Sequence, residues 1–180
     1  MTRLEELLLA RSVRRGDFVL ASGERSSYYI DCRLTTMSAE GLALVGPAGL
    51  AAIRDAGWRP SAVGGLTLGA DPVAYAIALA SYADGPPIDA FSVRKDPKTH
   101  GTRRLIEGNF TLGTRAVVVE DVITSGGSAL KAIDAVKQEG GEVLGVLALV
   151  DREQGGRKRI EDAGYQIVAI TTSQRLGLTE

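Results

Sequence analysis

The chain has 180 residues, a formal net charge of −1 and a single cysteine, Cys32. Its length supports one sizeable core, its balanced charge argues against a nucleic-acid or acidic-membrane partner, and one cysteine with one histidine excludes a disulfide and a structural zinc site. Because there is no signal-peptide pattern and no apolar run near the ~20 residues of a membrane span, we expect a cytoplasmic globular protein with one domain, residues 1–180.

The first third of the chain predicts a helix, a hairpin and a second helix. Residues 2–15 have helical apolar spacing, and residues 17–33 predict a strand, a Ser-Gly turn and a second strand. Residues 38–56 predict a helix in spite of an internal proline. The hairpin region is expected to form an appendage on the main core.

The rest of the chain alternates short apolar strands with helices. Strands are predicted at 61–66, 88–93, 115–122, 142–150 and 165–171, and helices at 72–83, 126–140 and 156–164. An Asp-Pro pair, Asp71 and Pro72, is expected to cap and open the first of these helices, and a polar loop covers residues 94–108. This alternation indicates an α/β fold with a mostly parallel sheet flanked by helices.

The stretch VVVEDVITSGGSAL, residues 117–130, joins the third of these strands to the next helix. Open parallel sheets bind ligands beyond the carboxyl ends of their strands, where Glu120 and Asp121 are expected. The Thr-Ser-Gly-Gly-Ser turn offers backbone N–H groups, hydroxyls and a helix start, which suit a phosphate monoester. Carboxylates accept hydrogen bonds from sugar hydroxyls or hydrated Mg²⁺, so the stretch predicts a pocket for a ribose 5-phosphate.

This turn does not fit the common nucleotide-binding motifs. The Walker A pattern with its lysine and the dinucleotide fingerprint G-x-G-x-x-G are both absent. A capped helix after a strand, with solvated acids, accounts for the Ser/Thr/Gly turn about as well as a phosphate site does. The adjacent acids at the strand end favour the ligand pocket.

Residues 117–129, VVVEDVITSGGSA, resemble the signature of the type I phosphoribosyltransferases, which bind 5-phosphoribosyl 1-diphosphate. The resemblance implies that the two acids hold the ribose hydroxyls and that the turn binds the 5-phosphate. The implied donor-binding residues are Glu120, Asp121, Val122, Ile123, Thr124, Ser125, Gly126, Gly127 and Ser128, and Thr124 also faces the acceptor.

The polar loop, SVRKDPKTHGTRRLIEG, indicates the acceptor. A solvated surface loop is the alternative for such a run of charges, but the spacing R-K-x-x-K-x-H-G resembles the catalytic loop of orotate phosphoribosyltransferases. In that family the loop folds over the diphosphate, partly from the neighbouring subunit of a dimer. The implied donor contacts are Arg94, Lys95, Lys98 and His100. The implied catalytic residues are Lys98, His100 and Asp121.

Three further segments resemble the same family. FVLASGERSSYYID resembles the N-terminal segment whose aromatic pair, here Tyr28 and Tyr29, flanks the orotate pocket. DREQGG resembles the segment whose arginine, here Arg152, meets the orotate carboxylate. GGLTLGADPVAYAIA, residues 64–78, resembles the first glycine-rich loop, which contacts the diphosphate.

Two positions depart from the family pattern. Many members have a lysine where Ala21 stands, and a Tyr-Lys pair where Thr67 and Leu68 stand. Both lysines contact diphosphate or substrate in those enzymes. This chain either does without them or uses Arg25 or Arg33 instead.

The resemblance implies a type I phosphoribosyltransferase fold with a small N-terminal hood, about residues 1–35, and the activity of an orotate phosphoribosyltransferase in pyrimidine biosynthesis. Mg²⁺ is the implied cofactor, bound mainly through diphosphate and water, and the implied assembly is a homodimer with shared active sites. Two alternatives stay open. One is a phosphoribosyltransferase for a purine or uracil, which the R-K-x-x-K-x-H-G spacing of the polar loop disfavours. The other is a non-catalytic regulator, which a net charge of −1 without a basic extension disfavours.

Overall fold

The computed structural model describes residues 1–19, 25–95 and 105–178. The helices are α1 (Arg3–Arg11), α2 (Arg33–Thr36), α3 (Ala39–Asp55), α4 (Ala70–Ala83), α5 (Gly127–Gln138) and α6 (Gly156–Asp162). The strands are β1 (Val13–Val19), β2 (Arg25–Ile30), β3 (Ala62–Leu66), β4 (Asp89–Val93), β5 (Ile106–Gly108), β6 (Arg115–Ile123), β7 (Glu142–Asp151) and β8 (Ile167–Thr172).

Six strands form the main sheet in the order β5-β4-β3-β6-β7-β8, and all neighbours are parallel except β4 and β5. Successive residues of β6 point to opposite faces. Val117 and Val119 pack into one apolar cluster with side chains of α3 and α4, whereas Val118 packs into a second cluster with side chains of α5. Helices therefore cover both faces, which confirms the predicted α/β fold. The antiparallel β5 was not predicted and lies within the expected polar loop.

The N-terminal helix is shorter than its apolar spacing predicted. A capping box starts it, in which the Glu5 N–H donates to Thr2 Oγ1 over 3.3 Å and the Thr2 N–H donates to Glu5 Oε2 over 2.7 Å. The expected continuation through residue 15 is wrong, because Val13 already pairs with Ile30 in the antiparallel β1–β2 hairpin. Tertiary pairing outweighs helix propensity here.

Buried polar contacts attach the N-terminal segment to the last strand of the main sheet. Glu5 is 3 % exposed, accepts a hydrogen bond of 2.9 Å from Thr171 Oγ1 and pairs with Arg175 at 2.7 Å. Burial alone would raise the pKa of Glu5, but its hydrogen bonds from Thr2 and Thr171 and the Arg175 charge lower it on balance. Helix α1 thus has a defined position against the edge strand β8 of the main sheet.

The start of α4 differs from the expected cap. Gly69 is the N-cap, and Asp71 lies in the first turn, where its Oδ1 accepts a hydrogen bond of 2.7 Å from Ser92 Oγ. The Asp71 carboxylate therefore links α4 to β4 instead of capping the helix. No helix in the described part of the chain is long and apolar enough to cross a membrane.

Candidate functional site

A cavity of about 670 Å³ lies at the carboxyl ends of the parallel strands. The N-terminal hairpin, the turn after β3 and the ends of β4, β6 and β7 form its walls. Its lining consists of Tyr29, Ile30, Asp31, Arg33, Leu66, Thr67, Leu68, Gly69, Lys95, Glu120, Asp121, Val122, Thr124, Ser125, Ser128, Arg152 and Gln154. The acid pair, the turn and the arginine that the sequence singled out separately therefore meet in one cavity.

The two adjacent acids differ in exposure, since Glu120 is buried and Asp121 is half-buried. Glu120 is 7 % exposed, and its Oε2 has no hydrogen-bond partner among the described residues. Burial, together with the nearby Asp121 charge, raises the pKa of Glu120 to about 8. Burial also raises the pKa of Asp121, although the Val122 N–H donates a 2.9 Å hydrogen bond to its Oδ1 and partly opposes the rise. The alternative of solvated acids is therefore wrong for Glu120, and both carboxyl groups suit a ligand that brings its own hydrogen-bond donors.

The turn after the acids encloses a recess of about 100 Å³, lined by Glu120 and residues 122–128. Gly126 is the N-cap of α5 with φ of 75°, and no side chain of the described residues caps this helix end. A Cβ at Gly126 would lie 2.9 Å from the Gly156 carbonyl oxygen, so only glycine fits between the turn and α6. The first N–H groups of α5 are thus left available at a positive helix end, as an anion site requires.

Arg152 follows directly after β7 and lines the same cavity. It is 5 % exposed, and its Nη2 donates a hydrogen bond of 3.1 Å to Ser26 Oγ. Its guanidinium carbon lies 4.6 Å from the centre of the Tyr28 ring. The preceding Asp151 is fully buried and accepts a 2.9 Å hydrogen bond from Arg157 Nε, which stabilises the segment that carries Arg152.

The two adjacent tyrosines occupy different environments. Tyr29 is 42 % exposed and lines the cavity. Tyr28 is 2 % exposed, lies outside the cavity lining and donates its hydroxyl to Ser173 Oγ over 3.1 Å. Successive residues of a strand face opposite sides, so β2 cannot present both rings to one ligand. The structure therefore brings Tyr29 to the site directly, and it brings Tyr28 there through Arg152.

The structure describes only the first part of the predicted catalytic loop. Lys95 is exposed and lines the cavity, and Arg94 Nη1 pairs with Glu107 Oε1 at 3.4 Å. Lys98 and His100 lie outside the described residues, so their contacts stay predictions.

Asp31 lines the cavity, which the sequence did not predict, and whether Arg33 does so was left open. Arg33 lines the cavity and forms a two-pronged pair with Asp31, with Nε and Nη2 donating over 2.8 and 2.9 Å. Arg25 instead pairs with Asp17 at 3.4 Å on the exposed hairpin. Arg25 and Arg33 were the two cations considered as substitutes for the missing lysines, and of these Arg33 lines the cavity. The D-x-R pattern after β2 is the sequence feature that could have indicated the Asp31–Arg33 pair.

The turn after β3 approaches the acid pair closely. A Cβ at Gly69 would overlap the Asp121 carboxylate, so a side chain at this position would displace that acid. The peptide bond between Thr67 and Leu68, in the same turn, is cis. The first glycine-rich loop thus lies against Asp121, and its implied contact with the diphosphate stays a prediction.

Within the described residues there is no group of three His, Cys, Asp or Glu side chains that could hold a metal ion. Glu120 and Asp121 provide two adjacent carboxyl groups at the cavity. Such a pair suits hydrogen bonds from the water ligands of a Mg²⁺ ion that is otherwise bound by phosphate oxygens of a substrate.

Comparisons with known proteins agree with this geometry. Residues 48–173 match the family model described as "Phosphoribosyl transferase domain". An orotate phosphoribosyltransferase of Aquifex aeolicus is 47% identical over 171 residues, covering 93% of this chain and 92% of that protein. A crystal structure of the Mycobacterium tuberculosis orotate phosphoribosyltransferase with Fe(III) dicitrate is 47% identical, with a TM-score of 0.85 and 97% of each chain covered. Another crystal structure of the M. tuberculosis enzyme, in complex with 5-phospho-α-D-ribosyl 1-diphosphate, is 44% identical, with a TM-score of 0.82 and 97% of each chain covered.

Proposed function

Since this chain belongs to the phosphoribosyltransferase family and groups with its orotate phosphoribosyltransferases, we propose a role in their reaction for each part of the cavity. The enzyme transfers ribose 5-phosphate from 5-phosphoribosyl 1-diphosphate to orotate, giving orotidine 5′-phosphate and diphosphate, in pyrimidine biosynthesis. One observation carries the assignment of the site: the acid pair, the glycine-rich recess and the buried Arg152 line one cavity. They match the ribose, the 5-phosphate and the orotate carboxylate respectively.

The donor binds along the end of β6 and the turn that follows. The 5-phosphate occupies the recess formed by residues 122–128, where the first N–H groups of α5 and the hydroxyls of the turn donate to its oxygens. The ribose 2- and 3-hydroxyls donate to Glu120 and Asp121. This supplies hydrogen-bond donors to a buried carboxyl oxygen that has none among the described residues.

The acceptor lies between the hairpin and the end of β7. Arg152 meets the orotate carboxylate with two parallel N–H donors, which fits a planar carboxylate better than an ammonium does. Tyr29 provides an aromatic wall, and Thr124 faces the acceptor from the phosphate turn. Purines and uracil have no carboxylate for Arg152, which favours orotate over these acceptors.

Charge separates during the transfer, and the cavity has groups of both signs to respond to it. N1 of orotate attacks C1 of the ribose with inversion, the bond to diphosphate breaks, and positive charge develops on the sugar. Asp121 next to the ribose stabilises that charge, while Lys95 and Arg94, with Lys98 and His100 of the loop, stabilise the departing diphosphate. Lys98 or His100 donates a proton to the leaving group, and the closed loop excludes water from the activated sugar.

Mg²⁺ is the proposed cofactor and enters with the diphosphate. When it is bound, the ion neutralises negative charge on the donor and on the leaving group. Glu120 and Asp121 are the residues that would contact its water ligands. The described residues contain no group of three His, Cys, Asp or Glu side chains that could hold the ion by themselves, which supports a substrate-borne ion.

A homodimer with shared active sites is the proposed assembly. The outer face of α4 exposes Tyr75, Leu79 and Tyr82, at 53, 74 and 80 % exposure, which are spaced as one apolar stripe along the helix. Tyr75 shares a 3.0 Å hydrogen bond with Ser92 of β4, two residues before the loop cations begin. The partner subunit is proposed to pack on this stripe, beside the strand β4 that leads into the loop.

The domain division and the location are also proposals. Residues 1–180 are proposed to form one phosphoribosyltransferase domain, in which about residues 1–35 form the hood, supported by the cavity contacts of Tyr29, Ile30 and Asp31. A cytoplasmic location is consistent with the single cysteine.

The test is the loss of orotate absorbance in the presence of the ribosyl donor and Mg²⁺. We expect loss with orotate but no product from hypoxanthine or uracil, and little activity in Asp121→Ala. Comparable turnover of hypoxanthine or uracil would contradict the assigned acceptor site, and full activity of Asp121→Ala would contradict the assigned donor site.

A further inference from the structure

The Arg152 guanidinium is held by groups that lie behind it as seen from the cavity. The face of the Tyr28 ring is 4.6 Å from the guanidinium carbon, and Ser26 Oγ accepts its Nη2 hydrogen over 3.1 Å. Ser26 and Tyr28 are 3 and 2 % exposed, and neither lines the cavity. These groups therefore contact the arginine without being placed to contact a substrate.

The supporting groups are themselves fixed by further hydrogen bonds. Ser26 Oγ donates to the Tyr28 carbonyl oxygen over 2.7 Å, which sets the direction of the serine lone pairs toward Arg152. The Tyr28 hydroxyl donates to Ser173 Oγ over 3.1 Å, just beyond the end of β8. The hairpin and the last strand of the main sheet together determine the orientation of the ring.

We propose that Ser26 and Tyr28 are positioning residues, which orient the Arg152 guanidinium for the acceptor's carboxylate, with Ser173 fixing the Tyr28 ring. The inference rests on the proposed contact between Arg152 and orotate. A free arginine side chain loses much rotamer freedom when it binds, and a side chain already held in its bound orientation avoids that loss. The hairpin is thus part of acceptor recognition through its inward-facing residues as well as through Tyr29.

Single substitutions test the contacts from each side. We expect Ser26→Ala to raise KM for orotate roughly tenfold, because it removes a hydrogen bond to a charged group. Tyr28→Leu, which removes the aromatic face, is expected to raise it by about fivefold to thirtyfold. In both variants, KM for the ribosyl donor should change by less than about twofold. Tyr28→Phe keeps the ring and the fold, and should raise KM for orotate by only about twofold to threefold, because a neutral hydrogen bond is lost.

Two matched controls separate positioning from general destabilisation. Ser81→Ala removes another buried serine, whose Oγ donates to the Ala78 carbonyl oxygen over 2.7 Å and which does not line the cavity. Tyr165→Leu removes a partly buried tyrosine that packs in the other apolar cluster. Neither control should alter KM for orotate, whatever it does to the melting temperature. An equal rise of KM for orotate in the controls, or of both KM values in Ser26→Ala, would overturn the proposal.

A double-mutant comparison with Arg152→Ala decides whether the support acts through the arginine. If it does, Ser26→Ala and Tyr28→Leu should have no further effect on KM for orotate once Arg152 is alanine. Additive effects in that background would overturn the positioning role. If Arg152→Ala itself leaves orotate kinetics unchanged, the proposed acceptor contact fails. If Arg152→Ala changes orotate kinetics but Ser26→Ala and Tyr28→Leu do not, the acceptor contact stands and only the positioning role is refuted.

Discussion

Replacing Glu120 with glutamine should stabilise the ligand-free protein increasingly as the pH rises from about 5 to 8. Glu120 is 7 % exposed, with one carboxyl oxygen lacking a hydrogen-bond partner among the described residues. Burial and the neighbouring Asp121 charge raise its pKa to about 8 from the ordinary value of 4.5. The folded protein therefore keeps a proton on Glu120 over a pH range in which the unfolded chain has released it.

The size of the effect follows from this difference in proton binding. At pH values below 4.5 both states are protonated, so the group adds no pH dependence. Between 4.5 and about 8, the free energy of unfolding of the wild type falls by about 1.4 kcal/mol per pH unit from this group, and it levels off above 8. From about pH 5.5 to 7.5 the variant should thus gain about 3 kcal/mol relative to the wild type, or roughly 6–12 °C in Tm for a chain of this length.

The assay is urea unfolding of both proteins without ligands, at several pH values between about 5 and 8.5. The buried amide adds a constant free-energy difference, so the slope of the difference against pH carries the test. Glu142→Gln, at an exposed position outside the cavity, is the matched control, and the slope for Glu120→Gln should exceed the slope for this control. A flat difference for Glu120→Gln would refute the reasoning, because it would mean that Glu120 has the same pKa in the folded and unfolded states.

Four further predictions concern the ligands and the assembly. Donor binding at pH 7 should release close to one proton per site. With a pKa of about 8, Glu120 is protonated in the free protein, and ribose hydroxyls that donate to it favour its ionised form. Calorimetry in buffers of different ionisation enthalpy measures the number of protons released. Arg152→Lys should weaken orotate use by roughly 2–5 kcal/mol, seen in kcat/KM, with donor binding little changed. Mg²⁺ alone should bind the substrate-free protein weakly in calorimetry, since the ion prefers waters and phosphate oxygens. Mixing inactive Lys98→Ala and Asp121→Ala subunits should restore roughly a quarter of wild-type orotate consumption, because half of the dimers are mixed and each has one intact site.

Each of these predictions has a distinct contrary outcome. Heat changes that do not depend on the buffer would show that Glu120 does not change its protonation on donor binding. Unchanged orotate kinetics in Arg152→Lys would remove the arginine from the acceptor site, and tight Mg²⁺ binding without substrate would reveal a protein-built metal site. No recovery on mixing, with heterodimers confirmed by native mass spectrometry, would refute shared sites while the orotate phosphoribosyltransferase family assignment stands.

Much of the site was predictable because its signals are local in sequence. A run of apolar residues predicts a buried strand, and an acid pair with a glycine-rich turn at its end predicts a ligand site. The structure has β6 ending at Ile123 and α5 starting at Gly127, within a residue of the predicted bounds. These features depend on spacing along one strand–turn–helix unit, so distant parts of the chain do not alter them.

Other features depended on contacts between distant segments. Helical spacing continued to residue 15, but pairing of Val13 with Ile30 made the segment a strand. The residues around Glu120 in the sequence did not reveal that the folded protein buries it, although that burial sets its pKa. The adjacent Tyr28 and Tyr29 were equivalent in the sequence, and only the docking of β2 placed one ring at the cavity and the other beneath Arg152. The sequence by itself determined which chemical groups the site contains, since those are written residue by residue. Tertiary structure decided their burial, orientation and partners, because these arise from packing between segments as far apart as Ser26 and Arg152.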